Sequence, residues 1–222
     1  MSLETISEAI RAQFTDKNSA RDLALARSRE LIRLCAETIR ATHRREWAAA
    51  DDKLAAVRAG ADALRAAVAG HPDLYHTGYT QDALKEAVEA FATVAIIRDQ
   101  PLPTPADLAV GGDTWLNGMA EAATELRRFI LDILRREDGS EAGSVAEAER
   151  LLGWMDAIYD QLVTFDFPDA ITGDLRRRTD IVRGVLERTR GDLTTTLQQQ
   201  RLQAAMRALE GRLESGESET SA

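Results

Sequence analysis

Residues 80–98, TQDALKEAVEAFATVAIIR, decide the fold. Leu84, Ala87, Val88, Phe91 and Ala95 recur at intervals of three and four, the period of a helix with one apolar side. Thr80 can cap its start, and the pattern runs to about Arg98. The same stretch places Glu86 and Glu89 three residues apart, so both acids lie on one helical face and repel each other by a few tenths of a kcal/mol.

Downstream, residues 100–112, QPLPTPADLAVGG, are rich in proline and glycine and read as a loop with one short turn of helix. Asp113 then caps a helix reaching about Arg136, with Leu116, Met119, Ala123, Leu126, Ile130 and Ile133 inward. This helix carries the second acid pair, Glu121 and Glu125. After a polar stretch at 137–143, a further helix is expected over about Ser144 to Phe165. Pro168 suits the opening of the next, from about Asp169 to Leu193 and on towards Leu213.

Upstream, a long apolar-periodic segment runs from about Ser19 to Ala69, marked by Leu23, Ala26, Leu31, Leu34, Ile39, Trp47, Leu54, Val57, Ala61, Leu64 and Val68. Its length predicts a break between His43 and Asp51, and Gly70-His71-Pro72 stops it. No stretch alternates with period two over strand length. The expectation is an all-α, single-domain bundle of about six to seven helices over residues 1–213, with 214–222 a disordered acidic tail.

The chain has 222 residues and a net charge of -9, enough for one sizeable core. The longest nearly apolar run, Ala90 to Ile97, falls far short of the roughly 20 residues that span a bilayer. The first residues lack a basic-then-apolar signal layout, so a soluble, cytoplasmic protein is expected. A lone cysteine, Cys35, excludes intrachain disulfides and cysteine metal clusters within one subunit, and reads as a small apolar residue. Of 28 basic residues only Lys17, Lys53 and Lys85 are lysines, a bias that suits phosphate contacts and that GC-rich coding also produces.

Paired carboxylates on neighbouring helices are suited to a hard divalent cation, Mg2+ or Mn2+. Such a cation can activate water and offset charge on a phosphoryl group, so no histidine base is needed. His43, His71 and His76 have neither HExxH nor ExxH spacing, which argues against a zinc hydrolase or a ferritin-like di-iron site. The plainer reading is that both glutamate pairs lie opposite their helix's apolar stripe, where charges ordinarily meet solvent. For nucleic acid, Arg21, Arg29, Arg40, Arg44 and Arg45 are candidates on the first segment, and Tyr75, His76 and Tyr79 offer stacking surfaces. The alternative is that these arginines solvate a helix and the tyrosines anchor a loop. Arg176-Arg177-Arg178 reads as a solvated face or an interface pairing, and Trp115 and Trp154 as core or subunit contacts.

Several stretches resemble the translin family. Ser28-Arg29, Thr38-Ile39 and His43-Arg44 are similar to the opening helix of its catalytic branch, translin-associated factor X. Leu84-Lys85-Glu86-Ala87-Val88-Glu89-Ala90 resembles that branch's signature helix, and Trp115 through Leu126, WLNGMAEAATEL, its later acidic helix. Tyr159, Phe167-Pro168 and Arg188 through Leu193 are similar to archaeal members. The resemblance spans roughly residues 20–195.

It implies a helical subunit of an octameric shell that binds single-stranded RNA or DNA and cuts single-stranded RNA with a bound metal. By this resemblance Glu86, Glu89 and Glu121 are the catalytic and metal-holding acids and Glu125 a fourth metal-holding acid; His43 is counted with the nucleic-acid-binding candidates. The catalytic branch carries aspartate at the third position, where this chain has the longer Glu121. Two rival classes stand beside it: a non-catalytic binding scaffold, and an all-α Mg-dependent nucleotide pyrophosphohydrolase.

Overall fold

The computed structural model describes the backbone of residues 2–135 and 141–220 and the side chains of 2–135 and 144–212. Among the described residues there are six long helices and three single turns, and no strand. The order is α1 Leu3–His43, α2 Trp47–Val68, α3 Pro72–Tyr75, α4 Gly78–Ile97, α5 Pro105–Leu108, α6 Gly112–Arg135, α7 Glu141–Leu162, α8 Asp169–Thr172 and α9 Leu175–Thr220. The all-α expectation holds. The tail assigned to 214–222 lies outside the described side chains.

α1 and α2 form an antiparallel pair against one side of α4, and α6 packs on the other, backed by α7 and α9. Leu31, Cys35, Val57, Leu64 and Leu84 fill the first layer, and Ile96, Leu126, Ile130, Leu151, Met155 and Leu175 the second. α4 serves both layers. It buries Lys85 and Thr93 along with its apolar residues, so it has no broad solvent face of the kind its stripe predicts.

The buried line on α1 is Ala24, Ser28, Leu31, Cys35, Thr38 and Thr42, not the expected Leu23 and Ala26. Leu23 is exposed. Small polar residues can occupy this seam because the Thr38 and Thr42 hydroxyls donate to the carbonyls of Leu34 and Thr38. Three helix boundaries also differ from expectation. α4 begins two residues before Thr80, whose hydroxyl donates to the Leu74 carbonyl at 2.9 Å instead of capping. α6 begins with the Trp115 N–H bonding the Gly111 carbonyl, which puts Asp113 inside the first turn, where its charge favours the helix dipole. The single helix expected from Asp169 onward is broken at Gly173, whose φ of +62° and ψ of -143° suit only glycine.

The break between α1 and α2 falls at residues 44–46, inside the expected range. Arg45 turns the chain there with φ +59°, and its guanidinium is held by Glu147 at 2.6 Å beside the Phe129 ring. No helix among the described residues is long and apolar enough to cross a membrane.

Candidate metal centre

Gly118 sets the spacing of the two acid-bearing helices. A Cβ at this position would stand 2.6 Å from Val88 Cβ and 2.9 Å from the Lys85 carbonyl oxygen, so α6 touches the backbone of α4 here. One turn on from Gly118 lies Glu121, and Lys85 and Val88 each precede one of the α4 acids. The close crossing therefore delivers Glu121 onto Glu86 and Glu89. One carboxylate oxygen from each lies within 4.8 Å of the others, and all three side chains are half-buried. The plain solvent-face reading fails for these three because α6 covers that side of α4.

Crowding shows in the protonation of the acids. Burial, then the charges of Glu86, Glu121 and Glu125, push the Glu89 carboxyl up to about 8, with Lys85 opposing. Glu86 is raised too, by burial and by Glu121, again against Lys85. Glu89 makes no hydrogen bond or ion pair among the described residues. Cys35 is buried on α1, and its thiol is raised by burial and further by Glu86 and Glu89, so the inner face of α1 borders the cluster.

Two cations hold Glu121. Lys85 Nζ lies 2.6 Å from Glu121 Oε1 and 3.4 Å from Glu86 Oε1. Arg178 of α9 donates to the same Oε1. Among the described residues, Glu121 Oε2 is buried with no hydrogen-bond partner, as is Arg178 Nε. The sequence pattern points to neither cation for this place, and the solvated-face or interface reading of Arg176-Arg177-Arg178 is corrected at Arg178, which turns inward to Glu121. Its signal was legible: it falls in step with buried Leu175, Val182, Leu186, Thr189 and Leu193 on α9. Arg176 and Arg177 are exposed, as expected.

Glu125, one turn beyond Glu121, is engaged elsewhere. His43 Nε2 bonds its carboxylate, Arg128 Nη1 stands 3.7 Å away, and His43 Nδ1 lies 3.5 Å from Asp132. His43 is buried against Phe129, ring centroids 4.6 Å apart, and faces the interior instead of joining an exposed basic surface. Arg21, Arg29 and Arg40 on α1 and Arg44 at its C-cap are exposed. At 100° per residue Arg29 and Arg40 occupy the side of α1 opposite Leu31 and Cys35, hence away from the acid cluster, whereas Arg21 falls beside the buried line. Arg45 is committed to Glu147. Tyr75 and Tyr79 pack against the first core layer at the head of α4, while His76 is exposed. Trp115 and Trp154 are partly buried against the second layer, and the Trp115 indole N–H donates to the Pro103 carbonyl.

The donor set fits a hard divalent cation. Three carboxylates converge, two are pushed towards the neutral form by burial and by their neighbours, and one buried oxygen lacks a partner among the described residues that a cation would supply. Glu86, Glu89 and Glu121 can hold such an ion.

No family model matches the sequence. An uncharacterized protein of Methanocaldococcus jannaschii is 30% identical over 197 residues, covering 88% of this chain and 84% of that protein. Among solved structures, AfC3PO, known alone and in a complex with duplex RNA, aligns with a TM-score of 0.76 and 30% identity over 85% of this chain and 95% of its own. Apo-NeC3PO aligns with a TM-score of 0.75 at 19% identity over 88% and 98%, a likeness of fold. Sequence and fold agree over nearly the full length of these proteins, and the chain belongs to the translin family, with the C3PO-like proteins.

Proposed function

We propose that this protein binds single-stranded RNA or DNA and cuts single-stranded RNA endonucleolytically with Mg2+ or Mn2+, working as a homo-oligomeric shell. The observation that carries this reading is the convergence of Glu86, Glu89 and Glu121, with Glu89 raised to about 8 by burial and by its neighbours. A cluster so crowded costs folding stability, which is the usual signature of a site kept for chemistry. The complex of AfC3PO with duplex RNA supports nucleic acid as the ligand class.

When bound, the divalent cation supplies Lewis acidity and an activated water at the phosphodiester. The chain's own groups do the rest. Glu86, Glu89 and Glu121 would hold the cation with their negative charge. His43 fixes Glu125 one turn away, which orients α6, and Gly118 keeps that helix against α4. On the far side of α1 from the cluster, Arg29 and Arg40, without side-chain partners among the described residues, offer a surface that holds the strand's phosphates away from the cut.

The test is incubation of the purified protein with labelled single-stranded RNA, with Mg2+ or with EDTA, beside the native mass of the assembly. Cleavage that EDTA abolishes and that Glu86→Gln lowers by about a hundredfold is the expected result. Metal-independent cutting, or wild-type rates in Glu86→Gln, refutes it.

A second reading, a binding scaffold without catalysis, draws on the two cations already neutralising Glu121. Tight single-strand binding with no metal-dependent cutting would select it.

A further inference from the structure

Lys85 and Arg178 are placed oddly for structural counter-ions. Both address the same oxygen, Oε1 of Glu121, and leave Oε2 buried without a partner. Lys85 is buried on the inner helix, and Arg178 reaches in from α9, across the seam. The Arg178 Nε proton is itself buried with no acceptor. The cluster thus contains an unmet acceptor, which a cation satisfies, and an unmet donor, which an anionic oxygen satisfies. A divalent cation carrying a phosphate oxygen meets both needs together, and no protein group among the described residues does.

Resting on the function proposed above, we infer that Lys85 and Arg178 are phosphate-binding residues held in reserve: without cation they neutralise Glu121, and with cation bound they turn to the phosphate of the strand. The charges make this exchange reasonable. Three carboxylates with two basic groups are close to balanced, so a bound divalent cation leaves Lys85 and Arg178 with surplus positive charge directed at the site. Arginine and lysine are both suited to phosphate, the first through paired N–H donors and the second as a point charge. Strand binding and cation binding are then positively coupled through these two side chains.

The test uses full-length protein with Lys85→Met and Arg178→Gln made singly. Mn2+ affinity is measured by calorimetry without nucleic acid. Affinity for a single-stranded DNA oligonucleotide is measured in Mn2+ and in EDTA. Each substitution removes a competitor for Glu121, so Mn2+ should bind roughly threefold to tenfold tighter than in wild type. The wild type should gain roughly tenfold in oligonucleotide affinity on adding Mn2+, and each variant should lose most of that gain. A residue serving only packing would weaken cation binding when removed, so the opposite signs separate the two roles. Helix content and Tm verify folding, and Arg178→Gln, on the outer helix, serves if Lys85→Met unfolds. Variants with unchanged or weaker Mn2+ affinity, or with the Mn2+-dependent gain intact, overturn the inference. If instead the wild type binds no Mn2+, the function proposed above fails, and this inference with it.

Discussion

Gly118 lets α6 lie so near α4 that any Cβ there would stand 2.6 Å from Val88 Cβ. The contact falls beside the carboxylate cluster, so one missing methyl group couples helix packing to the site. Gly118→Ala should cost about 2–3 kcal/mol by overpacking, because the clash includes the Lys85 carbonyl as well as a side chain. It should also push Glu121 away from Glu86 and Glu89. Chemical denaturation gives the first effect and Mn2+ calorimetry the second; a variant with wild-type stability and affinity would contradict the packing described here.

Glu89 predicts the pH dependence of stability. Its carboxyl is raised from 4.5 to about 8 in the fold, so between those values the folded chain keeps a proton that the unfolded chain has lost. The native state then binds more protons, and stability from this group falls as pH rises through that window. In EDTA, Glu89→Gln should be more stable than wild type at pH 8.5 by about 2 kcal/mol, some 4–8 °C in Tm, and the gap should close towards pH 5. Mn2+ should raise the wild-type Tm at pH 8.5 more than that of the variant. Thermal melts across pH with and without metal measure both.

His43 tests whether a buried histidine reads nucleic acid or braces the site. It is 7% exposed and wedged among Glu125, Asp132 and Phe129. His43→Ala opens a cavity and leaves the Glu125 carboxylate short of a partner, a loss of about 2–4 kcal/mol. Oligonucleotide affinity measured well below the variant's Tm should be unchanged. A large drop in affinity would instead place His43 on the strand.

On the outer face of α1, Arg29 and Arg40 are exposed and have no side-chain partner among the described residues. If strands follow this face, Arg29→Ala and Arg40→Ala each lower the salt slope of oligonucleotide binding by about one and weaken binding evenly across sequences. Fluorescence anisotropy over a salt series gives the slope. A slope unchanged in the double variant moves the track elsewhere.

Much of the helical layout is legible in the sequence. The helical period around Leu84, Val88 and Ala95, and around Met119, Leu126 and Ile133, was strong enough to place α4 and α6. It located Glu86, Glu89 and Glu121 on the faces they occupy. Arg178 was missed because three consecutive arginines look like a solvated run, although Leu175 and Val182 set its register inward. Leu23 was misassigned for the converse reason: the α1 seam is built from Ser28, Cys35, Thr38 and Thr42, which hydropathy does not mark.

The sequence by itself determined which segments are helical, because periodicity and the proline and glycine stops act locally along the chain. It also determined which acids share a face, since that follows from 100° per residue. Only the tertiary structure decided which faces meet. That Lys85 and Arg178 converge on Glu121, that His43 turns inward to Glu125, and that Gly118 lets α6 cover the polar side of α4 are contacts between segments far apart in the chain. Such pairings are set by long-range packing and desolvation, which no local pattern encodes.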